Sequence, residues 1–176
     1  MKIAKGINRL GTEGAFKVLV ESQKLEKEGK KIIHLSIGQP DFKTPNHIID
    51  ATTKALKDGH HGYVLPNGIS ECREAVSKKI KSLYNVNVNP ERIIIMPGGK
   101  PTMFYAISLF GESGAEIIYP DPGFPIYKSM IDYTGAKGIP INLLENEDFS
   151  FDSDNILSLI NNKTRLLILN NPQNPT

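Results

Sequence analysis

The sequence has 176 residues, enough for one domain with a real hydrophobic core. Its 39% hydrophobic and 23% charged residues and formal net charge of +2 are those of an ordinary soluble protein, and its scattered basic residues give no basis for nucleic-acid binding. One cysteine, Cys72, excludes an internal disulfide; no apolar run could span a bilayer and Met1-Lys2-Ile3-Ala4-Lys5-Gly6 lacks a signal-peptide core, so the expectation is a soluble, cytoplasmic protein.

In chain order, Gly14 to Gly29 reads as an amphipathic helix, with Ala15, Val18, Leu19 and Leu25 near one face and Lys24, Lys27 and Glu28 on the other. Ile32 to Ile37 has the composition of a short strand ending at Gly38. Pro45 near the first turn and Gly59 at the end bound a second helix, and Ser70 to about Tyr84 forms a third. From there strands and helices alternate. Strand Ile93 to Met96 precedes a helix from Pro101 to Phe110, and strand Glu116 to Tyr119 precedes a helix from Pro125 to Thr134. Strand Gly138 to Ile141 leads through an acidic loop to a helix from Asp154 to Ile160, then to strand Leu166 to Leu169. This alternation predicts an α/β fold, a mostly parallel sheet flanked by helices.

Four turns at predicted strand ends could carry chemistry. Pro97-Gly98-Gly99-Lys100-Pro101-Thr102 joins a strand to an apolar helix. Two glycines there permit close backbone approach, and a helix N-terminus favours a phosphate, although a plain strand-to-helix turn has the same composition. It matches neither the Walker loop nor the dinucleotide glycine fingerprint. Asp121-Pro122-Gly123-Phe124-Pro125-Ile126-Tyr127 sets Phe124 on a rigid corner, either as a stacking platform for a flat ligand or as a cap on the core. Ile37-Gly38-Gln39-Pro40-Asp41-Phe42 could present a backbone N–H to a carboxylate or simply turn the chain. His34, His47, His60 and His61 form no metal pattern, so no metal site is expected. The last turn, Asn170-Asn171-Pro172-Gln173-Asn174-Pro175-Thr176, follows a buried strand at the edge where open α/β sheets bind ligands.

Together these motifs resemble the start of a class I/II aminotransferase of the aspartate aminotransferase type, within the fold type I pyridoxal-phosphate enzymes. The matching stretches are Gly38-Gln39-Pro40-Asp41-Phe42, His61-Gly62-Tyr63 through Pro66-Asn67-Gly68-Ile69, Pro97-Gly98-Gly99-Lys100, Pro122-Gly123-Phe124-Pro125-Ile126-Tyr127 and Asn171-Pro172-Gln173-Asn174-Pro175-Thr176. The resemblance implies that the cofactor is pyridoxal 5'-phosphate, with its phosphate on the backbone amides of Gly99 and Lys100. It also implies that Phe124 stacks on the pyridine ring and Asn174 hydrogen-bonds the phenolic oxygen. Gly38 is implied in binding the substrate α-carboxylate. Tyr63 is implied to reach the phosphate in a neighbouring subunit, which makes the protein a homodimer. The implied reaction moves an amino group from an amino acid to a 2-oxo acid by a ping-pong route.

The family pattern also implies a domain division, with residues 1–37 an N-terminal arm and helix contributing to the small domain and residues 38–176 the first part of the large domain. The imine-forming lysine, the aspartate that pairs with the pyridine nitrogen and the carboxylate-binding arginine belong to motifs beyond Thr176, and neither Lys100 nor Lys163 matches the lysine. The expectation is therefore an N-terminal portion with no catalytic residue of its own, inactive alone and dimeric if folded. The alternatives are a carbon–sulfur lyase or cyclopropane-forming synthase on the same scaffold, a non-catalytic cofactor-binding or dimerising fragment, and a nucleotide-binding α/β protein. An acidic ribose ligand is missing for the last.

Overall fold

Strand β1 (Glu116–Asp121) is buried from Glu116 to Pro120. Such continuous burial belongs to a strand covered on both faces, as parallel sheets are. Its partners are β2 (Lys137–Asn142) and β3 (Thr164–Leu167), both parallel to it, and the order β2-β1-β3 puts β1 in the centre. Beyond β3 the ladder runs on, with Ile168 donating its N–H to the Ile118 carbonyl at 2.9 Å. The computed structural model describes residues 2–11 and 14–176.

Two-residue alternation along β1 builds two cores. Ile117 and Tyr119 face a cluster that includes Ile107 of α4 (Gly99–Phe110) and Tyr127, Met130 and Ile131 of α5 (Ile126–Thr134). Ile118 faces the opposite cluster with Ile141, Leu143 and Ile156 of α6 (Ser153–Leu159). Asp152 caps α6, its carboxylate accepting from the Asp154 N–H at 2.9 Å. The result is the predicted α/β arrangement of a parallel sheet between helices.

The chain forms two compact units, Met1–Gly38 with Lys100–Thr176, and Gln39–Gly99. The first groups residues 1–38 with the stretch 100–176 that carries the sheet. The attachment is local. Arg9 donates from Nε to the Asp132 carbonyl (2.7 Å) and from a terminal nitrogen to the Tyr133 carbonyl (2.6 Å), and the Gly11 N–H donates to Ser129 Oγ (3.0 Å). A guanidinium on the last carbonyls of α5 caps that helix where its dipole is negative. Helix α1 (Gly14–Lys27) belongs to the same unit.

The second unit holds α2 (Asn46–Lys57) and α3 (Ser70–Tyr84). Its anchor is Arg73, 3% exposed, which donates to the carbonyls of Gly68 (3.2 Å) and Pro90 (3.1 Å) and to the Glu91 carboxylate (2.8 Å).

Two expected strands are not strands among the described residues. Residues 32–35 and 93–96 take no regular structure, residues 36 and 37 form a bend, and none of them joins a ladder. Strand composition needs a partner to become sheet, because the ladder hydrogen bonds are made between chains. In 32–37 the side chains of Ile33 and Leu35 are almost fully exposed, and Ile95 gives its N–H to the Asn67 carbonyl (3.1 Å) instead.

Candidate functional site

Because β1 and β3 are parallel, the loops that leave their carboxyl ends emerge on one edge of the sheet. The loop after β1 turns at Gly123, where a Cβ would overlap the Pro120 carbonyl oxygen, so no larger residue fits that backbone. Phe124 follows. Its carbonyl accepts the Tyr127 N–H at 3.0 Å, and its ring meets the Tyr127 ring edge-on, with centroids 5.9 Å apart at 84°. Tyr127 is 2% exposed and its burial pushes the phenol above its ordinary pKa, so a neutral, fixed ring backs Phe124.

The loop after β3 is ordered by its own side chains. With its amide oriented to satisfy both neighbours, Asn170 accepts from the Asn174 N–H at 3.0 Å and donates to the Pro172 carbonyl at 3.3 Å. Gln173 then reaches across the edge, Nε2 donating to the Pro122 carbonyl at 3.0 Å. Asn174 and Phe124, 50 positions apart in sequence, thereby belong to two loops tied to each other. A cleft of about 430 Å³ opens beside the turn, lined in part by Pro120, Phe149, Leu169, Asn170, Gln173 and Thr176.

Helix α4 starts at Gly99, two residues before the predicted Pro101. Gly98 turns the chain into it with φ +103°, and among the described residues no atom beyond its chain neighbours and the helix's own backbone lies within 4 Å of where a Cβ would stand at Gly98 or Gly99. First-turn N–H groups and the positive dipole end point outward from a helix start. Lys100 connects this turn to the aromatic corner, its Nζ 5.9 Å from the Phe124 ring centroid and 5.3 Å from that of Phe16.

Of the sequence-predicted residues, Lys100, Phe124 and Asn174 lie in the unit that carries the sheet, Lys100 Nζ being 5.9 Å from the Phe124 ring; Gly99 precedes Lys100 at the start of α4. Gly38 is exposed, and among the described residues nothing lies within 4 Å of a would-be Cβ there. Tyr63 lies in the second unit, fully exposed, beside a hollow of about 550 Å³ lined by Ala55, Gly59, His60, Val64, Ile69 and Glu71. The sequence pattern did not single out Phe16 or Gln173. Phe16 falls off the apolar stripe read on α1, and Gln173 is an unremarkable polar residue between two prolines; no local signal marks either. Among the described residues no cluster of three His, Cys, Asp or Glu could hold a metal ion, and no helix is long and apolar enough to cross a membrane.

Comparison with known proteins bears on the family and the fold. The family model "Aminotransferase class I and II" matches residues 30–176. A (5-formylfuran-3-yl)methyl phosphate transaminase of Methanocaldococcus jannaschii is 39% identical over 158 residues, 90% of this chain and 40% of that protein. An aspartate aminotransferase of Bacillus subtilis is 29% identical over 176 residues, 100% of this chain and 45% of that protein. Among solved structures, an aspartate aminotransferase from Thermus thermophilus superposes with a TM-score of 0.93 at 29% identity, over 100% of this chain and 46% of that one. The chain spans less than half the length of the curated relatives it matches. With the family model covering residues 30–176 and the same architecture in a solved aminotransferase, the chain belongs to the class I and II aminotransferase family.

Proposed function

We propose that this chain forms the cofactor-holding part of a pyridoxal-phosphate-dependent aminotransferase that moves an amino group from an amino acid to a 2-oxo acid. Two observations support the proposal: Lys100, in the first turn of α4, has its Nζ 5.9 Å from the Phe124 ring, and Gln173 ties the loop that carries Asn174 to Pro122 beside the same corner. The residues suit the group on the chemistry of the donor set. A dianionic phosphate suits the helix start at Gly99 and Lys100, where main-chain N–H groups and the dipole favour negative charge and a Cβ at Gly99 would take up the space. The face of Phe124, held edge-on by Tyr127, suits a flat heteroaromatic ring, and the Asn174 amide suits its phenolic oxygen.

Pyridoxal 5'-phosphate, when bound, supplies an electron sink for charge developing at the substrate Cα. The residues of this chain then bind and orient. Gly99 and Lys100 fix one end of the cofactor, Phe124 its plane and Asn174 its rotation within that plane. Gly38 offers an N–H to the substrate carboxylate, and Tyr63 reaches the phosphate of a neighbouring subunit, so that the working form is a homodimer. Residues 1–37 serve as an arm of the small domain and 38–176 as part of the large domain. Neither Lys100 nor Lys163 is assigned as the lysine that carries the cofactor. A cytoplasmic location fits the lone Cys72.

Gly99→Ala separates this proposal from a plain structural turn. Among the described residues the added methyl meets no atom within 4 Å beyond its chain neighbours and the helix's own backbone, so the melting temperature should hold or rise slightly. Pyridoxal 5'-phosphate affinity, followed by equilibrium dialysis, should fall by roughly ten- to a hundredfold, the equivalent of a weakened charge-assisted hydrogen bond. Wild-type affinity in that variant would overturn the phosphate assignment.

A further inference from the structure

We infer that Gln173 is a positioning residue, the tie that fixes the distance between the ring platform at Phe124 and the polar contact at Asn174. The inference rests on the cofactor site proposed above. Each half of that site is anchored on its own element. Phe124 is held from the α5 side, through the Tyr127 N–H and the Tyr127 ring. Asn174 is held from the β3 side, through Asn170. These anchors act within each loop and leave the gap between the loops undetermined.

The hydrogen bond from Gln173 Nε2 to the Pro122 carbonyl, 3.0 Å long, spans that gap. Among the described residues it is the one hydrogen bond between the stretch 121–125 and the stretch 170–176. Its acceptor lies two residues before Phe124 and its donor one residue before Asn174, so any slip in this bond passes straight to both contacts. The acceptor is well placed for the task. The Asp121 carbonyl is engaged by the Leu143 N–H at 2.8 Å, and the Tyr127 N–H takes the Phe124 carbonyl, so Pro122 sits between two fixed points. The donor here is a neutral amide. A carboxylate cannot donate to a carbonyl, and the asparagine side chain is one methylene shorter.

The test uses the intact protein and two variants, Gln173→Met and Gln173→Glu, with pyridoxal 5'-phosphate and inorganic phosphate as separate probes. Methionine keeps the length and removes the donor. It should weaken pyridoxal 5'-phosphate about three- to tenfold, the loss of one neutral hydrogen bond, while inorganic phosphate binding at the α4 start stays within about twofold. Glutamate should behave like methionine at pH 7. As the pH falls towards the ordinary glutamate pKa of about 4.3, its carboxyl gains a proton it can donate, and its affinity should recover relative to methionine at the same pH.

Unchanged pyridoxal 5'-phosphate affinity in Gln173→Met overturns the inference, as does an equal loss for both probes or no pH-dependent recovery in Gln173→Glu. If the wild type binds neither probe, the cofactor-site proposal fails on its own. Amide hydrogen exchange across 171–176 then decides the tie: faster exchange in Gln173→Met upholds it, and exchange equal to wild type overturns it.

Discussion

Gly123→Ala puts the aromatic corner under direct strain. A Cβ at residue 123 would overlap the Pro120 carbonyl oxygen, stand 3.2 Å from the Pro120 carbonyl carbon and touch Tyr127 Cδ2 at 3.5 Å. Neither neighbour can give way easily. Pro120 lies buried in the central strand, in register with Ile141 of β2, and Tyr127 is 2% exposed in the core. The corner itself must therefore move outward, by about 1 Å to restore ordinary contact. Overpacking against rigid surroundings costs about 1–3 kcal/mol. For a chain of this size that lowers the melting temperature by about 2–4 °C per kcal/mol, so a drop of about 4–8 °C is expected by scanning calorimetry for a cost of roughly 2 kcal/mol. The same displacement carries Phe124 away from Asn174, so pyridoxal 5'-phosphate affinity should fall with the melting temperature. A variant melting within about 1 °C of wild type would show that the backbone relaxes freely here, and the rigid-corner argument would be wrong.

Two further substitutions probe the frame. Arg73→Met should destabilise the second unit by about 2–4 kcal/mol in chemical denaturation, since two carbonyls and the Glu91 carboxylate lose their shared donor; a loss below about 0.5 kcal/mol would refute the anchoring role. Glu116, at the opposite end of β1 from the site, has its carboxyl held below the usual range, first by the Asn161 amide at 2.8 Å and then by Lys137 at 3.6 Å. A depressed folded-state pKa contributes stability that is present above the unfolded value of 4.5 and lost as pH falls through the folded one. Stability measured from pH 7 downwards should therefore decline below about pH 4.5, and Glu116→Gln should flatten that decline; an unchanged acid slope would remove Glu116 from the account.

Much of the sheet was legible in the residues. The apolar runs at 116–119, 138–141 and 166–169 are β1, β2 and the β3 region within a few positions, and in the central β1 burial on both faces goes with that apolar run. The runs at 32–37 and 93–96 have the same signature without a ladder, since composition records what a strand prefers and not whether a partner is present. Turn chemistry was equally legible. Gly98, Gly123 and the prolines around them mark places where the backbone bends tightly, and those bends lie in the loops of the candidate site.

Sequence alone, then, determined the α/β alternation, the ligand-edge turns and the family, because periodicity and turn preference act over a few residues. Only the tertiary structure decided which turns meet. Parallel pairing with β1 in the centre sends the loops after β1 and β3 to one edge and lets Gln173 reach Pro122, 51 positions away. The fold likewise brings Phe16 to Lys100, 84 positions apart, although α1 carries no sign of it. A side chain that is ordinary in its own stretch acquires a role when strand order sets the acceptor in front of it, and strand order is a property of the packed core.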